Sequence, residues 1–240
     1  MLLAIILVFI AAAVLLVAWA VRGRRSPLLG ASVWRGPRSR RAIALTFDDG
    51  PSESTPRLLE LLERHGAKAT FFMCGHHVRR LPHVARQVVR EGHEIGNHTD
   101  THEALYLRSP AFILDQIDRA QASIQEVTGL APRLFRTPFG ARWFGLRDAL
   151  RKLGLRAVSW TDIARDWALD GAAVARRLEP RAAPGAILCF HDGRELRHNP
   201  DIGSTLEALE LLLPRWAGAG YEFLTVSELL WQSTINSHNA

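Results

Sequence analysis

The chain has 240 residues, with 48% hydrophobic and 22% charged side chains, which is typical of a globular protein with one sizeable core. Its formal net charge is +6, but the basic residues are scattered except for clusters at 22–25 and 35–41. No basic stripe carries base-stacking side chains, so a nucleic-acid-binding face is excluded, whereas clusters of this kind suit a segment near anionic lipid. Cys74 and Cys189 each lie at or near the end of an apolar run, which predicts buried free thiols rather than a disulfide.

Residues 1–21 form the first predicted element. Residues 1–20 contain no charged side chain and are long enough to cross a bilayer as a helix, with Trp19 placed as an interfacial anchor. A cleaved signal peptide is the alternative, because Ala18-Trp19-Ala20 offers a small-x-small cleavage site. The missing basic n-region and the length of the apolar run argue against cleavage. We therefore predict a transmembrane anchor, with a signal segment as the second interpretation.

Residues 22–41 are rich in Arg, Ser, Gly and Pro without a period, and we predict a basic linker there. From residue 42 to residue 240 the chain reads as one domain, in which apolar runs alternate with amphipathic stretches. The predicted strands are 42–47, 69–74, 155–160, 186–190 and 221–225, with less distinct ones at 93–97 and 133–136. Most amphipathic stretches stop at a glycine, a usual helix C-terminal signal. About seven such units predict an α/β fold whose parallel sheet is closed, or nearly closed, into a barrel.

The stretch 42–51 ends an apolar run in two adjacent carboxylates, Asp48 and Asp49, followed by Gly50-Pro51. An apolar run of this length, bounded by Gly and Pro, predicts a buried strand. Ligands bind at the carboxyl ends of strands in parallel α/β folds, so both aspartates are candidate site residues. A turn without chemistry is the alternative, since Asp and Gly-Pro are common in turns.

A pair of histidines forms the second candidate. His98 and His102 are four residues apart, and on a helical turn that spacing puts both imidazoles on one face. Two imidazoles and one carboxylate make a catalytic metal set that leaves positions open for water and substrate. The carboxylate could come from Asp49 or Asp100, and we favour Asp49 because Asp100 would point away from the face that the histidines share. Two alternatives are a chance surface pair among ten histidines and the ligand set of a non-haem iron oxygenase.

Three further stretches place polar side chains at or after apolar runs. Arg136 ends one run, where it is either buried with a carboxylate partner or extended toward solvent at the strand end. Asp166 and Trp167 follow another run, and aromatic rings beside carboxylates suit a sugar-binding cleft, with core packing as the alternative. His191 ends a fifth run before Gly193, a position suited to an acid or base, with a structural histidine as the alternative.

Together the five stretches resemble, in order, the motifs of the polysaccharide deacetylase family, the NodB-homology carbohydrate esterases of family 4. Residues 46–50 are similar to T-F-D-D-G, and residues 98–102 to H-[ST]-x-x-H. Residues 136–139, 166–167 and 189–191 resemble R-x-P-[YF], D-W and L-x-H. The resemblance covers roughly residues 40–230 and implies a distorted (β/α) barrel, often with seven strands, which agrees with the alternation of strands and helices.

The resemblance also implies an activity, the metal-dependent deacetylation of N-acetylated sugars. Asp49, His98 and His102 would ligate a divalent metal, usually Zn²⁺ in this family and sometimes another transition ion. Asp48 would be the general base that takes a proton from the attacking water, and His191 would be the general acid that protonates the leaving amine. Amide hydrolysis needs these groups, because the carbonyl must be polarised and the amine must be protonated before it leaves.

Five further residues take supporting roles by the same resemblance. Arg136 would orient the general base, Asp166 would pair with the general acid, and Trp167 would line the pocket. The backbone N–H of Phe139 would help to bind the oxyanion, and this residue replaces a frequent Tyr of the family. Cys189 stands where the family usually has Leu, which leaves the shape of the acyl pocket and the substrate preference open.

Several substrates and one non-enzymatic function fit the resemblance. The partner would be an N-acetylated glycan such as peptidoglycan or a chitin-like oligomer, or a lipid-linked aminosugar that loses a formyl or acetyl group. A non-catalytic glycan-binding protein on the same fold is the alternative outside enzymology. Arg22, Arg24 and Arg25 follow the apolar span, which by the positive-inside rule favours a cytoplasmic domain. A cell-wall substrate requires a domain outside the cytoplasm. We expect that extracytoplasmic placement, and the sequence leaves the membrane orientation of the helix open.

Overall fold

The computed structural model describes residues 1–231, so that residues 232–240 of the predicted domain lie outside the described part. The strands are β1 (Ala42–Gly50), β2 (Ala69–Met73), β3 (Glu94–Asn97), β4 (Leu134–Phe135), β5 (Arg156–Ala157), β6 (Asp162–Ile163), β7 (Ile187–His191) and β8 (Glu222–Phe223). The helices are α1 (Leu2–Arg22), α2 (Thr55–Arg64), α3 (Gly75–Arg80), α4 (Pro82–Arg90), α5 (Pro110–Thr128), α6 (Leu146–Lys152), α7 (Gly171–Leu178), α8 (Gly203–Gly218) and α9 (Val226–Trp231). Short 3-10 turns cover Pro138–Gly140 and Glu179–Arg181.

The sheet is organised around β1, whose nine residues are all buried. This strand pairs in parallel with β2 on one side and β7 on the other, and its first residues also pair with β8. The strand order is β5-β4-β3-β2-β1-β7-β6, and every pairing along it is parallel. In the part of the chain that is described, β5 and β6 do not pair with each other. The result is a curled, incompletely closed barrel, which confirms the predicted distorted (β/α) barrel behind an N-terminal apolar helix.

Alternation along β1 sends its side chains to two apolar layers. Ile43, Leu45 and Phe47 join the larger core cluster with side chains from α2, α4, α7 and α8. Ala42 and Ala44 face the other way and pack in a second cluster with side chains of α9. Since α9 fills the barrel beside the start of β1, the carboxyl ends of the strands are left to form a site.

The strands at the two ends of the sheet, β4 and β5 on one side and β6 on the other, have only two residues each. The predicted runs 155–160 and 133–136 contain the two-residue strands β5 and β4, and β6 had no apolar run to predict it. β6 is half-buried and pairs only with β7 among the described strands. Short strands near an open edge carry few paired residues, so periodicity gives little signal there.

The N-terminal region has two parts. No residue of α1 is buried, and among the described residues it is the one helix long and apolar enough to cross a membrane. Residues 22–41, predicted to be a linker, make specific contacts with the barrel instead of extending from it. The backbone N–H of Val33 donates to the carbonyl of Ala157 at 2.9 Å, and the N–H of Gly36 donates to the carbonyl of Gly185 at 2.8 Å. This segment therefore lies along the gap between the two ends of the sheet.

Candidate active site

Polar side chains from four strands converge at the carboxyl end of the barrel. Asp48 and Asp49 lie near the end of β1, His98 follows β3, Arg136 follows β4, and His191 ends β7. A cleft of about 580 Å³ opens there, and among its lining residues are Asp48, Asp49, His98, His102, Trp167 and His191. The parallel topology brings these side chains together although they are up to 143 positions apart (191 minus 48).

Asp49 and the two histidines form a compact, buried group. The Oδ1 atom of Asp49 lies 3.3 Å from Nε2 of His98 and 3.0 Å from Nε2 of His102. The three ligand atoms lie within 4.8 Å of one another. Burial opposes ionisation of Asp49, but the imidazoles of His102 and His98, when they are protonated at Nε2, donate to the carboxylate and hold its pKa well below the ordinary value.

The tautomer of His98 makes this group suitable for a cation. Its Nδ1 lies 2.7 Å from the carbonyl oxygen of Arg136, and a carbonyl only accepts, so Nδ1 carries the proton. In the neutral ring Nε2 then presents a lone pair toward the carboxylate of Asp49. Two acceptors that face each other in a buried site need a cation between them, and an imidazole–carboxylate set with an open side fits a divalent transition metal.

The segment that carries both histidines is a loop and not the helical turn that the sequence analysis considered. Thr99 and His102 have left-handed backbone, with φ of 68° and 53°. The N–H of Thr99 donates to Oδ1 of Asn97 at 2.9 Å, and the N–H of His102 donates to Oγ1 of Thr99 at 3.1 Å. Asp100 points away from the histidines, as expected, and forms ion pairs with two arginines instead.

Asp48 is held by a buried arginine. The Nη1 atom of Arg136, which is 1% exposed, donates to Oδ1 of Asp48 at 2.7 Å and to the hydroxyl of Thr46 at 2.7 Å. The guanidinium also lies 4.1 Å from the centre of the Phe72 ring. The arginine is thus the paired, buried one of the two predicted alternatives. The other carboxylate oxygen of Asp48, Oδ2, lies 4.0 Å from Nε2 of His98, beside the group that Asp49 forms with the two histidines.

His191 is paired with Asp166 and lies beside Asp48, its register partner on the neighbouring strand. Its Nδ1 donates to Oδ1 of Asp166 at 2.8 Å, and its backbone N–H donates to Oδ2 at 2.8 Å. Burial disfavours the imidazolium, but the charge and hydrogen bond of Asp166 outweigh burial and raise the pKa of His191 to about 9. Trp167 is half-exposed, with its ring centre 5.1 Å from that of His191.

The remaining predicted residues take different places. Phe139 lies in a 3-10 turn with a left-handed backbone (φ 56°), and its ring centre is 4.8 Å from that of His102. Cys189 is fully buried, and its thiol donates to Oδ2 of Asp48 at 3.4 Å. Burial and the charge of Asp48 raise the pKa of this thiol well above its ordinary value. Cys189 is therefore an inert neighbour of Asp48 beneath the cleft rather than a wall of it.

Two supporting residues were missed by the sequence analysis. The hydroxyl of Thr205 donates to Oδ2 of Asp166 at 2.7 Å, and Thr205 comes from α8, with no local motif to mark it. Asp192 accepts from the hydroxyl of Thr55 at 2.6 Å, and burial raises its pKa to about 7. A Cβ on Gly50 would lie 2.2 Å from Asp192, so only glycine fits there. The adjacency of Asp192 to His191 was the available signal.

Comparison with known proteins agrees with this geometry. The profile of the polysaccharide deacetylase family matches residues 35–158, just over half of the chain. The chain is 38% identical over 211 residues to a peptidoglycan-N-acetylglucosamine deacetylase of Bacillus cereus, which covers 84% of this chain and 93% of the relative. It is 37% identical over 198 residues to a chitooligosaccharide deacetylase of Bradyrhizobium sp., which covers 79% of this chain and 90% of that relative.

The fold is also similar to solved structures. The crystal structure of the Bc1960 peptidoglycan N-acetylglucosamine deacetylase matches with a TM-score of 0.78 at 26% sequence identity, over 83% of this chain and 92% of that one. A profile match over half the chain and relatives above 30% identity along most of their length establish kinship, not fold alone. The chain belongs to the polysaccharide deacetylase family.

Proposed function

We propose that this protein is a metal-dependent hydrolase that removes the N-acetyl group from amino sugars of a cell-surface glycan. The observation that carries the proposal is the pairing of two separate proton-transfer groups around one cation-binding set. Asp48 with Arg136 stands on one side of Asp49, His98 and His102, and the second pair, a histidine held by an aspartate, faces the same cleft. A glycan-binding module has no need of such a pair.

Asp49, His98 and His102 would hold the metal, for which Zn²⁺ is the first choice because imidazole and carboxylate ligands in a small set suit it. When bound, such an ion polarises the amide carbonyl and acidifies a water. Asp48 would take the proton of the attacking water through Oδ2, while Arg136 holds Oδ1 and fixes the carboxylate. The backbone N–H of Phe139 would stabilise the negative charge that develops on the carbonyl oxygen.

His191 would complete the reaction as the proton donor. With a pKa of about 9 it is protonated at neutral pH, so Nε2–H is available to the leaving nitrogen while Nδ1–H stays bonded to Asp166. As the C–N bond breaks, that proton passes to the nitrogen, and acetate and a free amine are the products. The half-exposed ring of Trp167 would pack against an apolar face of the sugar.

Treatment with a metal chelator is expected to reduce acetate release from tetra-N-acetylchitotetraose and from peptidoglycan fragments by at least about 100-fold, since the ion supplies several kcal/mol of stabilisation. Added Zn²⁺ should restore the activity without oxygen. A panel that includes an N-formylated, lipid-linked aminosugar identifies the acyl group. Restoration that needs iron and oxygen would favour the oxygenase alternative, and bound glycan without acetate or formate release would favour a binding protein.

We further propose that α1 anchors the protein in a bilayer with the catalytic domain outside the cytoplasm. The helix has 21 residues, none of them buried, and an 18-residue stretch of it has a mean hydropathy of 3.1, which suits a lipid environment. Intact-mass spectrometry of protein extracted from membranes is expected to find residues 1–20 still attached. A mature chain that begins near residue 21 in the soluble fraction would contradict the anchor and support the signal peptide.

A further inference from the structure

The junction between α1 and the barrel is built around one buried arginine. Arg142 is 4% exposed, and its Nη1 donates to the carbonyls of Ser26 and Gly30, both at 2.7 Å. Its Nη2 donates to the carbonyl of Gly23. In residues 1–231 no carboxylate forms an ion pair with it. A buried guanidinium that donates hydrogen bonds to three backbone carbonyls of one segment fixes the path of that segment.

The same arginine joins α1 to the loop of Phe139. Its backbone N–H donates to the carbonyl of Val21 at 2.9 Å, and Val21 lies in the last turn of α1, where carbonyls lack partners within the helix. Arg142 follows the turn Pro138–Gly140 by two residues. The end of α1 is therefore bonded directly to the segment that carries the proposed oxyanion donor.

Two of the arginines that follow α1 contact the domain. Arg24 donates to the carbonyl of Trp160 at 3.2 Å and also to the carbonyl of Thr161, and the guanidinium of Arg25 lies 4.3 Å from the centre of the Trp34 ring. These contacts add a second set of bonds that hold the junction to the barrel.

The end of α1 also forms part of the cleft. Arg22, the last residue of the helix, is among the lining residues of the cleft, together with Arg194 and Arg197. The rest of α1 exposes its apolar side chains. If α1 crosses a bilayer, the mouth of the cleft lies level with the lipid headgroups, because its wall is the last residue of the span.

We propose that Arg142 docks the end of α1 on the Phe139 loop so that the cleft is held at the membrane surface and acts on glycan tethered to the same bilayer. This inference rests on the proposed deacetylase function and on the anchor. A domain on a flexible linker would sample a large volume, whereas a docked one meets tethered substrate at a high effective concentration. Arg142 is a positioning residue in this scheme and touches no reacting atom.

The test compares one sugar in two forms. Di-N-acetylchitobiose coupled to phosphatidylethanolamine in vesicles is the tethered substrate, and the same disaccharide on free ethanolamine is the soluble one. Full-length protein in those vesicles is expected to release acetate from the tethered form with a kcat/KM at least about 10-fold higher than from the soluble form. Equal values for the two forms would overturn the inference and leave the proposed function intact, whereas no acetate from either form would remove both.

Two variants separate docking from stability. A flexible Gly/Ser insertion of about 12 residues between Arg22 and Gly23, with a span of roughly 20 Å, leaves the guanidinium contacts of Arg142 in place. It is expected to lose the preference for the tethered substrate. The readout is the ratio of kcat/KM for the tethered form to kcat/KM for the soluble form, so that an effect of moving Arg22 that is common to both substrates cancels. The same insertion between Gly129 and Leu130, on the exposed surface, is the control and should keep the preference. An unchanged preference after the first insertion would overturn the inference.

Proteolysis supplies a readout that is independent of activity. In Arg142→Ala the segment 22–30 loses its donors, so trypsin is expected to cut after Arg22, Arg24 or Arg25 and to release the domain from vesicles about 10-fold faster than in the unmodified protein. Arg151→Ala, at a side chain that is 81% exposed, is the matched control. Equal release from the unmodified protein and from Arg142→Ala would contradict the docking.

Discussion

Replacement of Asp48 by asparagine is expected to reduce acetate release by about 10²- to 10⁴-fold, the range for loss of a general base. Asparagine keeps an oxygen that accepts the hydrogen bond of Arg136, so the fold and the arginine remain in place. It removes the negative charge that takes the proton from water. The metal content of the purified variant should stay unchanged, because Asp49, His98 and His102 are intact.

Asp162→Asn is the matched control for this prediction. Asp162 also pairs with an arginine, Arg177, at 2.8 Å, but it lies outside the cleft lining. Loss of that pair should change the rate by less than about threefold, since partly exposed ion pairs contribute little. If Asp48→Asn kept its metal and more than a tenth of the activity, Asp48 would not be the base. Loss of the metal from this variant would instead assign Asp48 to metal binding.

Replacement of His191 by glutamine is expected to lower the rate by about 10²- to 10⁴-fold as well, because the amine would leave without a proton. The pH dependence identifies the role. An acid works only while protonated, so a pKa of about 9 predicts full activity at neutral pH and a decline as the pH rises through 9. In His191→Gln the low remaining activity should no longer decline as the pH rises through 9, so that the alkaline limb of the pH profile is absent.

Asp166→Asn tests the cause of this high pKa. The charge of Asp166 raises the pKa of His191 against the effect of burial, so its removal should lower that pKa and move the alkaline limb to lower pH. NMR titration of His191 in metal-free protein measures the change directly. Thr205→Val keeps the charge and removes one hydrogen bond to Asp166, so it should shift the pKa much less. An unmoved limb in Asp166→Asn would assign the alkaline decline to another group.

The convergence at the site was predictable because strand ends carry a strong signal. Asp48, Arg136 and His191 each end or follow an apolar run, and parallel topology then brings them to one edge. The loop of His98 and His102 was different. Its shape depends on left-handed backbone at Thr99 and His102, and neither residue type predicts that conformation.

Contacts between distant segments could not be predicted from the sequence, for another reason. The segment 22–41 has the composition of a linker, yet it is fixed by backbone donors and by the side chains of Arg142 and Thr161, more than 100 positions away. Hydrogen bonds to backbone carbonyls leave no mark on the sequence of the accepting segment. Cys189 shows the same limit, since the predicted apolar run does not tell which of its members lies against Asp48.

The left-handed backbone at three residues of the site lowers the stability of the folded protein. Asp49, His102 and Phe139 have φ of 73°, 53° and 56°, a conformation that costs non-glycine residues of the order of 1 kcal/mol or more each. Glycine at any of these positions would relieve that penalty and remove a proposed metal ligand or an aromatic ring from the cleft. Selection of this chain for heat resistance alone would therefore favour substitutions that remove the proposed active-site side chains. Thermal stability and turnover place opposing demands on the same few torsion angles.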